Sequence, residues 1–201
     1  MRKRSFPKLR ISIPFFVLLS VMYVLDGNKL FFSTFIAIFI HEISHIVAIR
    51  LCGGKIDRVE VCAFGIKVNV PELKYMSYKR EIIIAAMGPL VGIITASIAL
   101  LAADVCKSDS LLYFAGINII ISAINLLPVY PLDGGRVILS LLLMFSSVRF
   151  AYTVSYILTI VSVGVLFGLC VVNAVLGEFN PSLMIFSLYI AFCGIKACAL
   201  P

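Results

Sequence analysis

"FIAIFIHEISHIVAIRL", residues 35–51, places two histidines and a glutamate inside a run that otherwise has the composition of a lipid-soluble helix. Ionisable side chains at membrane depth are expensive, and those that occur there usually face a bundle interior and serve chemistry or transport. The remainder of the chain shows that the bilayer is the right solvent for this reading. Of 201 residues, 62% are hydrophobic and only 13% charged, with a mean hydropathy of +1.11, which excludes an ordinary water-soluble domain.

Working outward, long apolar runs bounded by charges or by Gly, Pro and Asn predict helices near 11–25, 30–51, 81–103, 111–127, 150–176 and 182–200. The expected fold class is an all-α polytopic membrane protein of about six transmembrane helices. A single membrane domain, 1–201, is expected, with a metal-binding core at about 30–149 and accessory helices at about 11–25, 150–176 and 182–200. The first run follows the basic leader "MRKRSFPKLR". No small-residue cleavage site precedes "DGNK" and a second span follows at once, so an uncleaved first helix is expected in place of a signal peptide.

Lys and Arg set the orientation. The leader carries Arg2, Lys3, Arg4, Lys8 and Arg10, and the segment after the second helix carries Arg50, Lys55, Arg58, Lys67, Lys74, Lys79 and Arg80. The positive-inside rule makes both of these sides cytoplasmic. The opposite loops set Lys29 and Lys107 against Asp26, Asp104, Asp109 and Glu178. A multi-pass protein of the cell membrane with both termini in the cytoplasm is therefore expected. Topology and anionic lipid headgroups account for the net charge of +7, so no nucleic-acid partner is expected. Six cysteines without a CxxC pair or finger-like spacing receive no role.

His41-Glu42-Ile43-Ser44-His45 is HExxH. Residues four apart on a helix project from one face, so two imidazoles can grip one Zn²⁺ while the glutamate stands beside the open coordination position. Glu42 is then the candidate general base, acting on a water whose pKa the metal lowers. His41 and His45 are the only histidines in the chain, and both lie within a predicted span, which favours this reading over histidines that merely hydrogen-bond neighbouring helices.

A catalytic zinc has three protein ligands, so a third must exist. Asp26, Asp104, Asp109 and Glu178 belong to outer loops, and Asp57, Glu60, Glu72 and Glu81 to the basic cytoplasmic segment or its edge. Asp133 remains, within "INLLPVYPLDGGRVIL", residues 124–139, where Pro128, Pro131, Gly134 and Gly135 interrupt the apolar pattern. Irregular backbone at membrane depth is tolerated only where protein buries it or it lines a watery cavity.

Together, HEISH and "NLLPVYPLDGGR", residues 125–136, resemble the two motifs of the site-2 protease family of intramembrane zinc metalloproteases. The likeness is greatest to the compact bacterial branch typified by the sporulation factor that processes a pro-sigma factor, and it reaches across residues 1 to about 149. The resemblance implies that His41, His45 and Asp133 hold one zinc per chain, that Glu42 is the base, and that Asn125 contacts the substrate carbonyl or developing oxyanion. Asn118, Ser122 and Asn125 also form one polar stripe on the fourth span. For Asn118 and Ser122 that stripe reads equally as a set of interhelical hydrogen bonds.

Helix rise puts His45 roughly 8 Å and His41 about 13 Å from Arg50 along the axis, so the metal lies inside the hydrocarbon but nearer the cytoplasm. Residues 55–70, "KIDRVEVCAFGIKVNV", partly alternate polar and apolar positions around Gly65, which predicts a short cytoplasmic-side β-hairpin after the second helix. Its edge either holds an unwound substrate by strand addition or belongs to an ordinary hairpin. Gly88, Gly92 and Ala96 form a small-xxx-small face suited to helix packing. "MGPLVGI", residues 87–93, is similar to a family Gly-Pro motif but has Gly92 where an Asn is usual, so no active-site role is assigned to that span. The last two spans carry no ligand and either gate lateral access or complete the bundle.

The expected function is zinc-dependent intramembrane cleavage of a membrane-inserted regulatory protein such as a pro-sigma or anti-sigma factor, with the bilayer and inhibitory membrane proteins as further partners. A divalent-metal transporter is disfavoured because the outer halves of the spans offer little beyond Ser and Thr for an ion pathway. A relative that only binds membrane helices would have no need of the full set of His41, Glu42, His45 and Asp133.

Overall fold

A computed structural model describes residues 8–11, 29–54, 56, 58–62, 65–69, 77–177, 184 and 187–192. Apart from Ile11, the helix expected over 11–25 lies outside the described residues, as does most of that expected over 182–200, of which residues 184 and 187–192 are helical. The chain divides into two compact units, 1–123 and 124–201.

The first unit opens with a sheet. Strands β1 (Lys8–Ile11), β2 (Arg58–Cys62) and β3 (Gly65–Asn69) follow in that order, β1 parallel to β2 and β2 antiparallel to β3. The register aligns residues of like polarity: Leu9, Val59 and Val68 share one row, and Arg10, Glu60 and Lys67 the next. A period of two fixes such a register, since a slip of one residue would exchange the two faces.

The expected fold class is corrected. The chain is not all-α with a two-stranded hairpin as its sole β element, because the leader segment Lys8–Ile11 joins as a third strand and makes a mixed sheet. "KLRI" alternates like its partners, but four residues are too few to mark a strand without them. Against the expected count of about six spans, the described residues contain three helices long and apolar enough to cross a membrane, Phe31–Leu51, Tyr78–Cys106 and Val148–Val175. The expected span at 111–127 is a helix of 17 residues, about 26 Å of rise against a hydrocarbon core of about 30 Å.

Helix α1 (Lys29–Leu51) buries Ala37, His41, Ser44, His45, Ala48 and Ile49, a single face at spacings of three and four. Its other faces expose Phe32, Phe35, Ile36, Phe39, Ile43 and Val47, the arrangement a bilayer stabilises. The helix stops at glycine: Gly53 takes φ 83°, and Gly54 N–H donates to the Ile49 carbonyl at 2.8 Å. Helix α2 (Tyr78–Cys106) turns a stripe of small buried residues inward, Ala85, Gly88, Gly92, Ala96, Ala99 and Ala103. Small side chains let backbones approach closely, and α2 packs along α1, with Ala48, Ile49 and Ile84 in one cluster. Helix α3 (Asp109–Asn125) adds Ala115 against Ala96 and Ala99.

In the second unit, α3 ends at Asn125 and helix does not resume until α4 (Asp133–Phe145), followed by α5 (Val148–Val175). Ser147 caps α5, its hydroxyl accepting from Phe150 N–H. With 13 residues, about 20 Å of rise, α4 is too short to span the hydrocarbon.

Candidate metal centre

HExxH lies on α1, and the helix does what its period dictates. The imidazoles of His41 and His45 stand one turn apart, both buried, with their Nε2 atoms 3.2 Å apart and their ring planes at 78°. His45 Nδ1 lies 2.7 Å from the carbonyl oxygen of Ile84 on α2. A carbonyl only accepts, so Nδ1 carries the proton and donates it, which leaves the lone pair of the neutral ring on Nε2. The lone pair therefore points at the other histidine. Ser44, also buried, donates to the carbonyl of Ile40 and is satisfied within its own turn. Glu42 is half-buried on the same helix.

This donor pair suits a metal. A tetrahedral zinc about 2.0–2.1 Å from two nitrogens sets them about 3.3 Å apart, close to the observed separation. The Ile84 carbonyl behind His45 is the kind of outer partner that orients a ligating imidazole and raises its basicity.

Space for the rings comes from Gly88. A Cβ placed there would overlap His45 Nε2, and it would lie 2.6 Å from His45 Cε1 and 2.8 Å from His41 Cε1. The glycine that reads in sequence as half of a packing stripe is the wall of the histidine pocket. Pro89 follows it and has no N–H for the Ala85 carbonyl, which loosens the turn beside the Ile84 acceptor. Gly92, one turn on, faces Ser122 instead. Of the polar stripe on α3, buried Asn118 donates to the Phe114 carbonyl of its own helix at 2.8 Å. Asn118 is thus satisfied within its own helix, whereas the buried Ser122 hydroxyl has no hydrogen-bond partner among the described residues.

In the second unit the structure supplies the break that the prolines and glycines predict. Between Asn125, the last residue of α3, and Asp133, the first of α4, the backbone closes on itself: Leu127 N–H donates to Ile124, Val129 N–H to Leu127 and Leu132 N–H to Val129. Tyr130–Pro131 is cis. Gly134 and Gly135 lie directly on this strap, where a Cβ would strike the carbonyls of Leu126 and Leu127 or the backbone of Val129 and Tyr130. Close backbone approach, a known use of glycine, explains both positions. One donor of the strap leaves it: Tyr130 N–H donates to Thr159 Oγ1 on α5 at 3.2 Å, while that hydroxyl donates to the Ser155 carbonyl at 2.9 Å. Sequence reasoning missed Thr159, since one threonine in an apolar span carries no periodic signal.

Asp133 is buried in the first turn of α4, where the positive end of the helix dipole stabilises a carboxylate. Arg136 Nη1 stands 3.6 Å from Asp133 Oδ1. Asn125 is half-buried at the opposite end of the strap.

Comparison with known proteins adds four findings. The profile of Peptidase family M50 matches residues 102–169, which contain Asn125, the strap and Asp133. Stage IV sporulation protein FB of Bacillus subtilis is 31% identical over 142 residues, 69% of this chain and 48% of its own length. A zinc metalloprotease of Methanocaldococcus jannaschii is 24% identical over 183 residues, 84% of this chain and 52% of its own length. The chain thus spans about half the length of the curated relatives it matches. Among solved structures, the site-2 protease of Methanocaldococcus jannaschii shares the fold with a TM-score of 0.68 at 19% identity, over 98% of this chain and 93% of that one. Profile, relatives and fold point the same way: residues 102–169 match Peptidase family M50, and the chain as a whole is similar to site-2 proteases in sequence and fold.

Proposed function

We propose that the protein is a zinc-dependent intramembrane endopeptidase that cuts a transmembrane or membrane-associated segment of a regulatory protein, of the pro-sigma or anti-sigma kind. The observation that carries this reading is the pinned histidine pair: the Ile84 carbonyl fixes the His45 tautomer, and two Nε2 atoms meet at 3.2 Å within a membrane helix. His41, His45 and Asp133 hold one zinc per chain. When bound, the metal supplies a Lewis acid that polarises the substrate carbonyl and brings the pKa of a water toward about 7. Glu42 takes the proton of the attacking water and returns it to the leaving amine. Asn125 contacts the scissile carbonyl from the end of α3. The substrate reaches the site laterally from the bilayer and must be unwound locally, because helical hydrogen bonds and side chains shield a peptide bond. Inhibitory membrane proteins are the natural regulators of such access, and both termini face the cytoplasm.

The test is Glu42→Gln. The variant keeps one zinc per chain by metal analysis and loses cleavage of a co-expressed membrane-tethered pro-sigma or anti-sigma substrate. Cleavage at the parent rate in the purified variant would remove Glu42 from the chemistry.

A further inference from the structure

We infer that Thr159 is a positioning residue for the metal site, holding from α5 the strap on which the first turn of α4 is seated. The inference rests on the proposed role of Asp133 as the third ligand. Its observation is a chain of contacts within the second unit. Thr159 Oγ1 accepts from Tyr130 N–H at 3.2 Å, and the same amide nitrogen backs Gly135, where a Cβ would lie 2.5 Å from it. Gly135 stands two residues after Asp133 in the opening turn of α4.

The hydroxyl has one role left to it. Its proton goes to the Ser155 carbonyl one turn back on α5, at 2.9 Å, so towards the strap the oxygen can only accept. Thr159 is buried on the face of α5 that also buries Ala151 and Ser155, whereas Ile157, Ile160 and Val161 beside it are exposed. Irregular backbone at membrane depth must find its partners in protein or in a watery cavity. Leu127, Val129 and Leu132 close their N–H groups within the strap, while Tyr130 sends its own to α5. The strap is therefore fastened to a second helix at the residue that also touches α4.

Strap and α4 meet backbone to backbone. Gly134 lies against the carbonyls of Leu126 and Leu127, and Gly135 against Val129 and Tyr130. Contacts this close transmit a displacement, because a close-packed interior has low compressibility. A strap that moves at Tyr130 takes away the support of the turn that begins with Asp133, and a ligand must stay within about 0.5 Å of its working position. Thr159 thus acts on the site through the main chain and touches neither metal nor substrate.

The test measures zinc affinity by competition with a chromophoric chelator, in the full-length protein in detergent and well below the thermal midpoint of each variant. Thr159→Val keeps the shape and removes the acceptor; with the whole contribution of one hydrogen bond falling on the liganded geometry, affinity drops by about 2- to 10-fold. Thr159→Ser returns the oxygen and should return the parent affinity. Thr153→Val removes an exposed hydroxyl that donates within α5 at 2.9 Å, and should leave affinity unchanged. The visible spectrum of the cobalt-substituted protein should shift in Thr159→Val and not in Thr153→Val. On an Asp133→Ala background, Thr159→Val should cost nothing further, since its effect runs through the carboxylate. Thr159→Ala takes the place of the valine variant if that one is not recovered as a monodisperse protein. Parent affinity and parent cobalt spectrum in the valine or alanine variant would overturn the inference, as would an equal loss with Asp133 already replaced. Parent affinity in Asp133→Ala alone would instead remove Asp133 from the ligand set, a separate failure.

Discussion

Gly88→Ala is the sharpest probe of the histidine pocket. Carbon atoms in contact prefer about 3.5–4.0 Å, and the new methyl would lie 2.6 Å from His45 Cε1 and 2.8 Å from His41 Cε1, so the rings must retreat by roughly 0.7–0.9 Å. His45 cannot swing away without giving up its 2.7 Å bond to the Ile84 carbonyl, and His41 sits behind it on the same helix. The remaining route is separation of α1 from α2. Overpacking of this kind costs about 1–3 kcal/mol. If the cost falls on the liganded geometry, zinc binds roughly 5- to 150-fold more weakly, since about 1.4 kcal/mol is tenfold. Gly92→Ala is the control from the same stripe: its methyl meets the Ser122 hydroxyl, which can rotate, and otherwise only ordinary contacts at 3.6 and 3.7 Å. Chelator competition on the two purified variants decides the matter. Equal zinc affinity in Gly88→Ala and Gly92→Ala would refute the assignment of Gly88 to the pocket wall.

Two further outcomes follow from local geometry. Thr159→Val removes the hydroxyl that accepts from the half-buried Tyr130 N–H, a bond contributing about 0.5–1.5 kcal/mol; the thermal midpoint should fall by a few degrees and Thr159→Ser should restore it, whereas a midpoint equal to the parent's would show that the bond is not needed. Lys107 holds φ 50° at the end of α2, a conformation costing about 1–2 kcal/mol for a residue with a Cβ, while its ion pair to Asp104 at 2.8 Å is 81% and 85% exposed and screened by solvent. Lys107→Gly should therefore keep or slightly raise the thermal midpoint, and a clear fall would mean that the exposed pair outweighs backbone strain.

What was legible in the sequence is what a helix repeats. Apolar length marked α1, α2 and α5 to within about three residues, and the four-residue spacing of His41 and His45 put two rings on one face. Proline and glycine marked the strap between Asn125 and Asp133 because they forbid regular helix there. Other features depend on partners distant in sequence. Lys8–Ile11 is a strand only because Arg58–Cys62 lies beside it, fifty residues later in register. Gly88 and Gly92 look alike in a small-residue stripe, and only the neighbouring helix distinguishes a histidine wall from an ordinary contact. The Ile84 carbonyl has no sequence signature whatever, since every residue has one. The span expected at 111–127 differs for a related reason, because hydropathy registers apolar content and α3 is apolar but short.

The main-chain acceptor behind His45 has an evolutionary corollary. No point substitution at position 84 can delete it, so that site is free to drift among apolar residues while the imidazole keeps its proton on the same nitrogen. An insertion or deletion of one residue between Ile84 and Gly88 would instead swing the carbonyl about 100° relative to the packed stripe that follows and strip the ring of its anchor. Length, more than identity, is the quantity that the opening turns of α2 must preserve.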